Sequence, residues 1–459
     1  MGILPQSREI AIQVLQQIAD CPELIDNDER FKSLVAKVYK QGRKANKKVQ
    51  VKSERNCDRN TSEICFLCNQ SFTEHHSFYP GFCLNCGTLN YAKRNQSVNL
   101  GNKIALVTGA RLRIGYATVL KLLRSGATVI ATTRFPNDAA KRYSRENDFK
   151  SWEDRLHIYG LDLRHLSSLE SFTEHILDYY SRLDIIVNNA AQTVRRPPRY
   201  YSHLIDFETL PWYELPKDLQ ILVNRYRDFR LSEKYTDSFN LSGAVNRDEN
   251  QGLSALDKDY NLSALLSQVN LVAEDFEENK SSFPLGKYNR EGEQLDLRTF
   301  NSWLMKDDEV ELLELLEVHI INAIAPFLIN SRLKALMKAQ PKSAKYIINV
   351  SSVEGRFNSG NKSWRHPHTN MAKAALNQMT RTCAREYSQH RIFMNAVDPG
   401  WVSYQQPNSE VQAMKQRGMK LHLDSIDGAA RIYDPIYMGI TEKKFLCGKL
   451  LKNYQEVNW

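Results

Sequence analysis

No apolar stretch in the sequence approaches the ~18 residues that a membrane-spanning helix requires. The nearest, LEVHIINAIAPFLI over 316–329, is short and carries Glu317 and His319, so no membrane association is expected. The N-terminus, MGILPQSREIAIQVLQ, lacks the basic segment and apolar core of a secretory signal. Position 6 is Gln, where the myristoylation pattern demands Ser or Thr. Cysteine is scarce, at 8 in 459 residues; four form a paired pattern and the rest are scattered, which excludes a disulfide framework and fits a cytoplasmic protein. The charge excess of +9 is mild and sits largely in Lys37 to Arg55. That run holds a single aromatic, Tyr39, so a solvated basic linker is expected rather than a nucleic-acid surface.

The length exceeds one ordinary domain. Apolar residues recur at helical spacing over 8–20 (Ile10, Ile12, Val14, Leu15, Ile18) and over 28–40 (Phe31, Leu34, Val35, Val38). Two short amphipathic helices followed by the basic linker are therefore expected over 1–50. Within 51–95, Cys65-x2-Cys68 and Cys83-x2-Cys86 stand fourteen residues apart. Each pair supplies two thiolates from one tight turn, and four close a tetrahedral zinc site with no open position for a water. A single structural zinc knuckle or ribbon is predicted, suited to docking a protein partner rather than to catalysis.

The rest is organised around Lys103 to Gly115, KIALVTGARLRIG. Five apolar or β-branched residues, a glycine turn and a second glycine opening a periodic run spell strand, turn and helix N-terminus, which aims backbone N–H groups at a phosphate. Strand patterns at 127–134, 156–163, 182–191, 346–352, 393–403 and 444–453 alternate with helical ones. They predict an α/β, doubly wound parallel sheet over 100–455.

Thr108-Gly109 with Gly115, Asp162, Asn188-Asn189-Ala190-Ala191 and Pro399-Gly400-Trp401-Val402 follow one another in order. On these motifs residues 102–192 and 310–455 resemble the short-chain dehydrogenase/reductase family. The resemblance implies a Rossmann-type fold and hydride transfer between a nicotinamide cofactor and a small-molecule carbonyl or alcohol, in a homo-oligomer. It would place Thr108, Gly109, Ile114 and Gly115 at the pyrophosphate, Asp162 and Leu163 at the adenine, and Asn189 and Ala190 at the ribose. Pro399, Gly400 and Val402 would face the nicotinamide. Asp162 also reads as a residue opening a helix, and Asn188 as a turn residue. An NAD site usually has an acid after the second strand, but here that strand ends Thr132-Thr133-Arg134, with Arg111 and Arg113 in the phosphate loop. Guanidinium groups favour NADP(H), with NAD the alternative. Arg113 occupies the family's middle glycine position.

Residues 193–308 interrupt this core and are expected to cap the substrate end of the sheet, with a polar, disordered middle over 238–293 and a role in specificity or partner binding. By resemblance, Asn322 would kink its helix and hold a relay water, Ser352 would bond the substrate carbonyl, and Lys373 would be the active-site lysine. The family's Tyr-x-x-x-Lys has Thr369 in the tyrosine position, and a threonine hydroxyl titrates too high to serve as a general acid near neutrality. His366, His368 and Tyr404 are the substitute donors within reach. Two functions follow: an NADP(H)-dependent oxidoreductase with an altered proton donor, or a dinucleotide-binding scaffold or sensor that no longer turns over.

Overall fold

The computed structural model describes residues 62–232, 261–276, 281–358 and 362–459, with isolated helical positions between 11 and 37. The chain divides into two compact units, 1–63 and 64–459. In the first, Val14 and Leu34 are helical and exposed, as amphipathic helices place part of their apolar surface. The basic run beyond Lys37 lies outside the described residues.

The second unit is built on eight strands: β1 (Ile104–Thr108), β2 (Thr128–Thr133), β3 (Leu156–Gly160), β4 (Ile185–Asn188), β5 (Lys345–Val350), β6 (Ile392–Asp398), β7 (Leu450–Lys452) and β8 (Gln455–Val457). Their spatial order is β3-β2-β1-β4-β5-β6-β7-β8. All neighbours run parallel except β8 on β7. The predicted sheet is present. The strand expected over 444–453 is confined to Leu450–Lys452, and the three-residue edge strand β8 went unread because it has no apolar alternation. Connections leave β1 and β4 in opposite directions, which opens a crevice at their carboxyl ends.

The helices of eight or more described residues are α1 (Leu84–Asn95), α2 (Arg113–Arg124), α3 (Pro136–Tyr143), α4 (Leu166–Tyr179), α5 (Pro198–Glu208), α6 (Lys217–Arg230), α7 (Leu312–His319), α8 (Ala325–Arg332), α9 (Pro367–Ser388), α10 (Asn408–Gln416) and α11 (Ser425–Thr441). One sheet face buries Val107, Val129 and Ile348 beneath Val119, Leu122, Ile432 and Ile436. The other buries Leu106, Ile186 and Ile347 beneath Phe172, Ile329 and Met337. Both faces are covered, so the strands read as continuous apolar runs. A π-helical turn, Ile320–Ile324, joins α7 to α8. The continuous helix Leu312–Arg332 has 21 residues and mean hydropathy 1.8, long and apolar enough by length and composition to cross a membrane. In this fold Ala325 and Ile329 join the apolar cluster beneath the sheet, and Val318 is fully buried.

The insertion is ordered where it is described. Helix α6 packs on β3, where a Cβ on Gly160 would lie 2.4 Å from the Tyr226 hydroxyl. The Glu208 carboxylate, fully buried, accepts hydrogen bonds from Asn137 N (3.0 Å) and Asp138 N (2.8 Å), capping α3 from outside its own segment. The expectation of disorder over 238–293 is corrected for 261–276 and 281–293. Those residues are held by buried ion pairs whose partners are distant in sequence; 233–260 and 277–280 lie outside the described residues.

Candidate functional site

A cavity of about 370 Å³ opens at the carboxyl ends of β1, β2 and β4. Its floor is the turn between β1 and α2. Gly109 adopts φ +66°, and a Cβ there would approach Ala190 Cα to 2.8 Å. At Gly115 a Cβ would lie 2.1 Å from the Gly109 carbonyl oxygen, so close approach of the backbone, rather than turn geometry, requires this glycine. Arg113 has φ +53°, the left-handed region that explains why a glycine is usual at this position. Thr108 Oγ1 accepts from Asn189 N (3.1 Å) and Ala190 N (3.0 Å), and Asn189 Nδ2 donates to the Thr108 and Gly109 carbonyls. These bonds lock the β4 turn onto the phosphate loop and leave both to line the cavity together.

The arginines are not equivalent. Arg111 is buried and forms a bidentate pair with Glu293 (2.8 and 2.6 Å), and it also donates to Asp138 (2.8 Å). Arg113 pairs with Glu291 at 2.9 Å. Arg134 lines the cavity, donates to Tyr201 Oη at 2.7 Å and lies 4.4 Å from that ring's centroid; among the described residues it has no carboxylate ion-pair partner. Asp162 is gripped by Arg164 (2.7 Å), which reaches on to Glu317 (3.0 Å). Burial opposes ionisation of Asp162, but the Arg164 guanidinium holds its carboxyl below the usual range. Leu163, Ile114 and Val402 line the cavity. Gly400 takes φ +86° beside Pro399 and donates to Asp398 Oδ1 at 2.9 Å, shaping the loop without lining the cavity.

At the carboxyl end of β5, Lys373 Nζ donates to the Val350 carbonyl (2.8 Å), and burial lowers its pKa to about 8 against the attraction of Glu354. Thr369, one turn earlier, is 1% exposed and its Oγ1 has no hydrogen-bond partner among the described residues. Asn322 sits within the π turn; its side chain accepts from Gln192 N (2.9 Å) and donates to Gln192 O (2.8 Å). The helix is distorted where expected, with the amide side chain clamping the chain after β4. Ser352, Thr369 and Lys373 are not among the residues lining the cavity; Gln192, Ile321 and Ser403 are. His366 stacks on Trp303 at 4.0 Å, and Tyr404 Oη donates to the Met419 carbonyl. His368 is buried 3.6 Å from Glu314. Burial opposes ionisation of that carboxyl, but His368, Ser302 and Arg195 hold it below its usual range.

With this geometry in place, comparison with known proteins settles the family. The profile described as short chain dehydrogenase matches residues 103–206, and the profile described as Enoyl-(Acyl carrier protein) reductase matches 304–427, on either side of most of the insertion. The uncharacterized protein R665 of Acanthamoeba polyphaga mimivirus is 30% identical over 396 residues, covering 83% of this chain and 72% of that protein. The chain belongs to the short-chain dehydrogenase family. The NADP-dependent 3-hydroxy acid dehydrogenase YdfG of Escherichia coli K12 is 31% identical over 108 residues, covering 23% of this chain and 41% of that protein. The chain thus matches less than half the length of YdfG. Among solved structures, a short chain dehydrogenase from Shigella flexneri aligns with TM-score 0.47 at 16% identity, covering 79% of this chain and 95% of that one. The NADPH-bound carbonyl reductase from chicken fatty liver aligns with TM-score 0.44 at 19% identity, covering 78% and 100%.

Outside this short-chain dehydrogenase core, Cys65, Cys68, Cys83 and Cys86 converge, with all four Sγ atoms within 4.8 Å of one another. Thiolates around a tetrahedral zinc stand at ~2.3 Å from the ion, and this donor set fits one. The knuckle is docked on the dehydrogenase core. Arg94 of α1 pairs with Asp424 (2.7 Å) and Asp427 (2.9 Å) at the start of α11, and Lys93 with Asp434 (2.6 Å). Cys65, Tyr79 and Phe82 form one apolar cluster with Val402 and Leu423, against which Ile114 packs.

Glu293, Gln192, Arg164 and Arg195 were not legible in the sequence. Arg195 is paired with Asp275 (2.6 Å) and approaches Glu317 (3.5 Å). Glu293, Gln192 and Arg195 act through partners tens of residues away or more, and Arg164 joins its near neighbour Asp162 to the distant Glu317; no local periodicity marks any of them.

Proposed function

We propose that the protein binds NADP(H) and interconverts a small-molecule carbonyl and its alcohol, with a structural zinc in the four-cysteine knuckle. The observation that carries this reading is the cavity, which joins the phosphate turn, Arg134 at the end of β2 and Val402 of the nicotinamide loop. The nicotinamide, when bound, supplies or accepts the hydride. Arg134 is the cation available to a ribose 2′-phosphate, and the name of YdfG as NADP-dependent accords with this choice. Lys373 holds a positive charge near the nicotinamide end, Ser352 orients the carbonyl oxygen, and Asn322 fixes the chain at Gln192. The exposed Leu312, Leu316 and Phe327 on α7 and α8 form the face on which a second copy assembles.

A second reading rests on a specific observation. Thr369 is buried and cannot be poised as a general acid, and Ser352 and Lys373 lie off the cavity lining, as in a binding scaffold that has lost turnover. NADPH binding followed by fluorescence, with NADPH consumption over a carbonyl panel, separates the two. Binding with turnover is expected. Tight binding without turnover, with activity appearing in Thr369→Tyr, refutes the oxidoreductase and leaves the scaffold. Absence of binding refutes both.

A further inference from the structure

The insertion sends two carboxylates into the phosphate-loop arginines. Glu293 is 4% exposed, lines the cavity, and meets Arg111 with both oxygens at 2.8 and 2.6 Å. Asp138 takes the same guanidinium at 2.8 Å and Arg142 at 2.6 Å, and Arg142 also approaches Glu293 at 3.4 Å. Glu291 holds Arg113. Three guanidinium groups therefore face three carboxylates, and this end of the cavity carries no net positive charge. Arg134, just past the strand beside it, is stacked between aromatic rings, with Tyr201 at 4.4 Å and Phe135 at 5.4 Å, and has no ion pair among the described residues.

We propose that Glu293 is a selectivity-determining residue, supplied by the insertion, that restrains this site's preference for a 2′-phosphorylated dinucleotide. The proposal rests on the dinucleotide-binding reading above. An anion fixed on Arg111 removes a donor that a 2′-phosphate would otherwise use and repels the phosphate through a water-poor cavity wall. A ribose 2′-hydroxyl has no such conflict. Discrimination for NADP(H) over NAD(H) then falls to Arg134, since the other cavity-lining arginines, Arg111, Arg113 and Arg196, are each paired with a carboxylate. The arrangement also supplies, from 160 residues beyond the strand end in sequence, the acid that is absent directly after β2.

The test measures dissociation constants for NADPH and NADH by fluorescence on the full chain, with thermal melting as the check of fold. Glu293→Gln is expected to tighten NADPH about tenfold and to change NADH less than twofold, about one charge-assisted hydrogen bond's worth of selectivity. Glu293→Asp, which keeps the charge, retains the wild-type ratio. Arg134→Leu weakens NADPH about tenfold and leaves NADH unchanged. An unchanged NADPH to NADH ratio in folded Glu293→Gln overturns the proposal. If that variant does not fold, an Arg134→Leu ratio equal to wild type overturns it instead. Wild-type protein that binds neither dinucleotide overturns the dinucleotide reading itself, and this proposal with it.

Discussion

Replacing Lys373 by methionine should stabilise the protein at neutral pH. The ammonium is enclosed between β5 and α9, 4% exposed, with one hydrogen bond to the Val350 carbonyl at 2.8 Å. Burial lowers its pKa from the ordinary 10.5 to about 8. That fall corresponds to about 3 kcal/mol of disfavoured charging in the folded state. The lost hydrogen bond offsets about 1 kcal/mol, so Lys373→Met should raise the unfolding free energy by about 2 kcal/mol at pH 7. The unfolded chain keeps the proton to near 10.5, while the folded chain releases it near 8. Below pH 8 both states are protonated and the cost is present in full. Between 8 and 10.5 the unfolded state binds more protons, so wild-type stability rises with pH. Above 10.5 the advantage of methionine disappears. Urea denaturation of both proteins at pH 7, 9 and 10.5 reads this directly. A variant less stable than wild type at pH 7, or a gap that does not narrow with pH, refutes the argument that Lys373 is held charged against its environment.

Three further outcomes are expected. Stripping metal with a chelator should lower Tm by on the order of 5 °C or more, since a structural metal contributes several kcal/mol. It should also weaken NADPH binding, because Ile114 and Val402 share the knuckle's apolar cluster; unchanged Tm would dismiss the metal. Arg195→Met leaves Asp275 buried without its bidentate partner (2.7 and 2.6 Å) and should cost about 3–5 kcal/mol, with Arg195→Met/Asp275→Leu recovering much of it; equal stabilities by denaturant titration would contradict this. Gly115→Ala should abolish dinucleotide binding in a fluorescence titration, since its Cβ would overlap the Gly109 carbonyl at 2.1 Å.

The sequence by itself determined the sheet and its cofactor turn. Buried parallel strands are written as contiguous apolar runs such as IALV, and the glycines that let backbone segments touch, Gly109 and Gly115, are local necessities. The paired cysteines were legible for the same reason, because each knuckle is a four-residue unit. The π turn at Asn322 lay where its motif placed it. Tertiary structure alone decided which charges stay free. Arg111 and Arg134 look alike in sequence, yet Glu293 and Asp138 close on one while aromatic rings flank the other. It also decided that the knuckle grips α11, through Arg94 and Tyr79 meeting Asp424 and Asp427 more than three hundred residues away, and the loop after β6, through Val402. Ion pairs and caps between distant segments follow no period along the chain, so only the folded arrangement reveals them.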